Sequence, residues 1–168
     1  VGSGGPTEET APAPIGEYAM SCLGRERVMT SFAQRNKTPL AIIRLNYAVE
    51  MRYGVLIDIA RSVFAKTPVD VTMSAVNVVW QGYANEAVLR SLRHATPEPF
   101  MLNVAGPETL SVRQLATDFG KIFGVEPVLT GSEAPTALLS NSGKCIRLFG
   151  YPGVPLGQLM EWTAGWVK

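Results

Sequence analysis

Apolar positions recur at two spacings along this chain, and the alternation between them predicts a mixed α/β architecture. From Glu17 to about Arg35, residues Tyr18, Cys22, Arg25, Met29 and Phe32 follow i, i+3/i+4 steps and share one helix face. After the polar break Asn36-Lys37-Thr38-Pro39, the run Leu40 to Leu45 is apolar and of strand length, the signature of a strand covered on both faces. Val55, Leu56, Ile59, Ala60, Val63 and Phe64 predict a second amphipathic helix ending before Pro68. A strand over Val76–Trp80, a helix over Ala84–His94 and a strand over Phe100–Val104 follow. Ser111 and Gln114 form a capping box opening a helix whose apolar positions are Leu115, Phe119, Ile122 and Phe123, with Gly124 as its stop. Val128-Leu129 is a short strand candidate. Residues 144–149 and 156–167 predict short helices, the last with Leu159, Thr163 and Trp166 on one stripe. Residues 1–16, rich in Gly, Pro, Thr and Glu, predict a loop, and no internal repeat is present.

Composition narrows the function classes. With 168 residues, 46% of them hydrophobic, the chain has the size and apolar content of one globular domain. Fifteen basic and 14 acidic residues are interspersed, so no basic footprint for nucleic acid or an anionic membrane exists. No apolar run approaches the roughly 18 residues of a spanning helix, and no secretory leader pattern opens the chain, which leads to a cytoplasmic expectation. Cys22 and Cys145 stand apart with no CxxC or Cys/His spacing; they predict buried thiols, with neither a disulfide framework nor a zinc site. The Asn36-Lys37-Thr38 sequon lacks that secretory context and is taken as chance.

The chemistry worth weighing sits at the first helix. A tyrosine at a helix start serves proton transfer when a cation one turn on lowers its phenol pKa. That position here is Cys22, and a neutral thiol supplies no positive charge. Arg25 lies on the same face about 10 Å from Tyr18 along the axis, too far to replace such a cation directly, and reads as a surface arginine. The opening Val-Gly-Ser-Gly-Gly-Pro is no phosphate loop, since it lacks a preceding strand, a following helix and the third glycine of a dinucleotide fingerprint.

Five passages, in order, carry a family resemblance. Tyr18-Ala19-Met20-Ser21-Cys22-Leu23-Gly24-Arg25-Glu26 resembles a Tyr-x-x-Ser-Lys-x-x-x-Glu helix, matching at Tyr18, Ser21 and Glu26 but not at the lysine. Arg44-Leu45-Asn46-Tyr47, beginning 26 residues after the tyrosine, resembles Arg-Pro-x-Asn-Val-Tyr-Gly. Val79 to Ala87 resembles Val-His-Val-Asp-Asp-Val-Ala-x-Ala, with Gly82 and Tyr83 in place of the aspartates. Phe100–Gly106 with Ser111–Leu115 resembles Tyr-Asn-Val-Gly-Gly-Gly followed by Ser-Leu-Arg-Glu-Leu, and Lys144–Pro152 resembles Lys-Ala-x-Arg-Leu-Leu-Gly-Trp-x-Pro. Together they are similar to the C-terminal part of the extended short-chain dehydrogenase/reductases, the NAD-dependent epimerase/dehydratase superfamily.

The resemblance implies an α/β fold: a C-terminal fragment of a Rossmann-type doubly wound domain plus a small α/β substrate-binding lobe. Residues 1–16 would be loop, 17–47 the last Rossmann elements, and 48–168 mainly the substrate lobe, with 76–105 partly returning to the Rossmann sheet. It further implies that Tyr18 is the catalytic proton donor and acceptor, that Tyr18, Leu45 and Tyr47 border the cofactor, and that Asn46 contacts substrate. The bland alternative for Asn46 is a strand-end cap on local backbone. NAD or NADP would serve the complete protein but not bind this piece tightly. A partner Ser or Thr hydroxyl would lie upstream; Ser3, Thr7 and Thr10 are poor candidates. Implied partners are a small-molecule substrate such as a nucleotide sugar and a second copy through the Tyr18 helix, with no nucleic acid, membrane or metal. Two rivals keep the fold: a pseudoenzyme lacking the lysine, and a ligand-binding or interaction module.

Overall fold

The computed structural model describes residues 4–168, so the first three residues of the glycine-rich start, Ser3 among them, lie outside it. Helix α1 spans Gly16–Asn36 and stops where Lys37 turns left-handed at φ 57°, just before Pro39. Strand β1, Ala41–Leu45, follows, and its partner is the strand Phe100–Val104, parallel, with Ala41 opposite Phe100 and Leu45 opposite Val104. That later strand is β6.

Alternation of side chains sets the two faces of this ribbon. Arg44 points to α1, where its guanidinium meets Glu26. Ile43, Leu102 and Val104 point the other way, into a cluster with Tyr83, Ala84 and Ala87 of α3 (Gln81–Ser91) and Cys145 and Phe149 of α5 (Gly143–Phe149). The result is a layer of two parallel strands between helices, the arrangement a continuously apolar strand requires.

The rest of the chain builds a second cluster. Helices α2 (Val55–Phe64), α4 (Val112–Phe123) and α6 (Leu156–Val167) bury Leu56, Ile59, Val63, Leu115, Phe119 and Leu159 against one another. Each such side chain contributes about 1.5–3 kcal/mol on burial. Short strands frame them: β2 (Ala48–Val49) pairs in parallel with β5 (Val79–Trp80), and β3 (Val69–Asp70) in parallel with β8 (Leu129–Thr130). Strand β4 (Ala75–Val76) runs antiparallel to β7 (Leu110–Ser111).

Several expectations change. The strand over Val76–Trp80 divides into β4 and β5, because buried Asn77 gives its carbonyl to the Gly106 N–H at 3.2 Å and the chain switches partner there. Helix α3 begins at Gln81 rather than Ala84 and closes in a 3-10 turn over Leu92–His94. Only half of the capping box forms: Gln114 N–H donates to Ser111 Oγ at 3.3 Å, while the Gln114 side chain turns to Asp118. Trp166 leaves the buried stripe of Leu159 and Thr163 and is 57% exposed. Cys145 is buried as expected, whereas Cys22 is only half-buried. Among the described residues no helix is long and apolar enough to cross a membrane, and no group of His, Cys, Asp and Glu is placed to hold a metal ion.

Candidate functional site

At the carboxyl end of β1, where the ends of parallel strands typically receive ligands, the chain encloses an open cleft of about 510 Å³. One wall is α1, which presents Tyr18, Ala19, Cys22 and Glu26. Its floor is Arg44, Leu45, Asn46 and Asn103, and its other wall is the segment from Pro6 to Pro14, which turns between Thr7 and Thr10 and ends in an Ala-Pro-Ala-Pro stretch over 11–14 whose restricted φ angles keep it extended. Tyr18, Cys22, Leu45 and Asn46, up to 28 positions apart in sequence, therefore meet at one cavity. Tyr47 does not line it: at φ 48° its backbone turns the side chain toward the larger core, where burial pushes the phenol pKa up.

Tyr18 stands at the mouth, 84% exposed, and Cys22 sits deeper, one turn on. Arg44 is the cation among the described lining residues. Its Nε and Nη2 donate to the two carboxylate oxygens of Glu26 at 2.9 and 2.8 Å, and Nη1 reaches the Glu8 carbonyl at 3.4 Å. This two-pronged pairing holds the guanidinium pKa above its ordinary value and leaves its charge neutralised within the wall.

Asparagines organise the floor. Asn46 Nδ2 donates to Asn77 Oδ1 at 3.0 Å and to the Leu138 carbonyl at 3.3 Å, and Asn77 Nδ2 donates to the Ser140 carbonyl at 2.6 Å. Asn46 thus neither caps its own strand end locally nor lies loose; it ties β1 to Asn77 and to the 138–140 segment. Asn103, also buried, binds the first wall segment: its N–H donates to Glu8 Oε1 at 2.8 Å and its side chain to the Pro6 carbonyl at 3.1 Å. Glu8, Asn77 and Asn103 escaped sequence reasoning because each reaches a partner more than 60 positions away; the signal was a polar Asn within an apolar strand run, at 77 and at 103.

Comparison of the sequence with family models finds no match, and comparison with curated proteins finds none either. Solved structures do match. The UDP-glucose 4-epimerase of Thermotoga maritima with UDP-glucose superposes with a TM-score of 0.81 at 18% identity, over 96% of this chain and 56% of its own. The UDP-glucuronic acid 4-epimerase of Bacillus cereus in complex with NAD gives 0.83 at 17%, over 98% and 56%. This chain has the nucleotide-sugar epimerase fold, in part. The Thermus thermophilus UDP-glucose 4-epimerase with NAD agrees, with a TM-score of 0.76 at 18% identity over 93% of this chain and 55% of that one. The chain therefore spans little more than half the length of the epimerases it matches, and the fold expected from the resemblance to the superfamily's C-terminal part is the one observed.

Proposed function

We propose that this chain is the C-terminal portion of an NAD(P)-dependent epimerase, dehydratase or reductase that acts on a sugar nucleotide or a related hydroxy or carbonyl metabolite. The supporting observation is the convergence of Tyr18, Cys22, Leu45 and Asn46 on one cleft at the end of a parallel strand. Substrate occupies that cleft, with the Tyr18 hydroxyl at the mouth for proton exchange and Asn46 Oδ1 accepting from a ligand hydroxyl. The backbone at Leu45 and Tyr47 borders the cofactor. Residues 17–47 form the end of the nucleotide-binding domain and 48–168 mainly the substrate lobe, with 76–105 partly returning to the sheet. The protein works in the cytoplasm and pairs with a second copy through α1.

The residues present do not fit a dinucleotide held by this chain alone. Arg44 is spent on Glu26, position 22 offers a thiol where the superfamily pattern has a lysine, and among the described residues no strand-to-helix turn carries paired glycines for a pyrophosphate. The portion alone is accordingly inactive. That same absence of a free cation beside Tyr18 favours a second reading, a pseudoenzyme that binds a nucleotide sugar without turning it over.

Calorimetry with NADH, NADPH and UDP-glucose tests both, on this chain and on the protein extended upstream by roughly 150 residues of its natural sequence. Cofactor binding to the extended protein alone supports the enzyme. Binding of UDP-glucose without cofactor supports the pseudoenzyme, and no binding of either to a folded extended protein sinks both.

A further inference from the structure

Among the described residues, the charged side chains lining the cleft are Glu26 and Arg44, and they neutralise each other. Both carboxylate oxygens of Glu26 accept N–H groups of Arg44, at 2.9 and 2.8 Å, and the remaining nitrogen, Nη1, reaches the Glu8 carbonyl. The two side chains are only 20% and 25% exposed. An anionic ligand that drew Arg44 away would leave a largely desolvated carboxylate facing it, so the pair is costly to open.

The segments joined to the floor add no charge. Asn46 and Asn77 bind the 138–140 segment, whose Leu138 N–H meets the Met73 sulfur at 3.5 Å, and Ala134 N–H donates to the Thr72 carbonyl at 3.0 Å. Neither 71–80 nor 134–142 contains an Asp, Glu, Lys, Arg or His. In the same lobe Arg52 is paired with Glu50 and Arg113 with Glu133. The amino end of α1, the other kind of anion receptor, carries Glu17 in its first turn. What the cleft offers instead is carbon surface: Ala11 to Pro14 on one wall, Ala19, Leu23 and the Tyr18 ring on the other, and Leu45 beneath. The Thr7 and Thr10 hydroxyls are turned on their own segment, Thr10 Oγ1 accepting the Thr7 N–H at 3.1 Å.

We infer that the substrate of this cleft is an uncharged ketone or secondary alcohol with an apolar body, and not a nucleotide sugar. The inference rests on the proposed function, in which substrate occupies the cleft, and chooses between the two substrate classes named there. A diphosphate brings negative charge that Arg, Lys or a free helix end must meet. An uncharged ligand needs none of these; it exchanges water for the apolar walls and leaves the Arg44–Glu26 pair closed.

Calorimetry on the upstream-extended protein, with and without NADH, tests this with a matched pair, neutral benzylacetone and its para-carboxylate, beside UDP-glucose. Alkylation of Cys22 by iodoacetamide, followed by peptide mass spectrometry, reports whether the cleft is filled, since Cys22 lines it. Benzylacetone is expected to bind about tenfold tighter than the other two, or better, and to slow the alkylation. Glu26→Gln releases the charge of Arg44 while keeping an acceptor for it, and is expected to narrow the gap between the two ketones about tenfold; an unchanged gap overturns the inference. UDP-glucose binding as tightly as benzylacetone and shielding Cys22 overturns it too, and leaves the proposed function standing. Failure of all three ligands to shield Cys22 also overturns it, while NADH binding still reports on the proposed function separately. Preference for benzylacetone with Cys22 shielded, in a protein that binds neither NADH nor UDP-glucose, removes the proposed function and leaves the inference standing.

Discussion

Position 22 carries the largest consequence of any single side chain in the cleft. A lysine there would put a cation one turn from Tyr18, beside a guanidinium already neutralised by Glu26. Cys22→Lys in the extended protein is expected to tighten NADH binding about tenfold, or roughly 1.4 kcal/mol, read by calorimetry; unchanged affinity would mean position 22 does not reach the cofactor. A second titratable feature lies far from the cleft. Tyr151 donates to the Glu108 carboxylate, and that hydrogen bond, with partial burial, pushes its phenol up to about 12. Because the folded value is raised, the stabilisation is complete below the ordinary phenol value near 10 and is lost as pH climbs through about 12. The phenolate absorbance of the protein minus that of Tyr151→Phe should show a single late step; a step near 10 would mean the bond is not kept in solution.

Between elements, backbone contacts carry the geometry of the site. Where β6 ends, a Cβ on Gly106 would stand 1.9 Å from the Val78 carbonyl oxygen, a contact that no side-chain motion relieves. Gly106→Ala is therefore expected to cost about 2 kcal/mol or more in urea unfolding, with the close approach of Gly106 to the Asn77–Val78 backbone pushed apart. One carboxylate helps to hold the wall segment in place. Glu8→Ala leaves the buried Asn103 N–H without its acceptor, an expected loss of about 1–3 kcal/mol, whereas Glu8→Gln keeps an acceptor and loses less. Equal losses in the two variants would show that the contact matters by packing alone. If the segment walls the cleft as described, Glu8→Ala also raises proteolytic cleavage between Pro6 and Pro14.

For the molecule as a whole, ligand-linked stability tests the proposal that this chain is one portion of a longer cofactor-binding protein. Saturating NADH should leave the melting temperature of this chain unmoved and raise that of the upstream-extended protein, since only a ligand that binds the folded state shifts its unfolding. A shift in the chain alone would show that Arg44, Cys22 and the Pro6–Pro14 wall suffice for binding. The amino-acid pattern by itself determined the helices and the two longer strands: α2 and α4 carry apolar stripes at helical spacing, and β1 and β6 are continuous apolar runs of five residues. It also determined which residues to watch, because Tyr18, Cys22 and Arg44-Leu45-Asn46-Tyr47 are local patterns. Only the tertiary structure decided which of them meet, turning Tyr47 into the core while bringing Leu45 and Asn46 to Tyr18. The two-residue strands β2, β3 and β7 were illegible, and β4 could not be told from β5, because a strand so short has no period to read; pairing partners far along the chain define it. The asparagine network was beyond sequence for the same physical reason: a hydrogen bond depends on which group stands opposite, and that is settled only when distant segments pack.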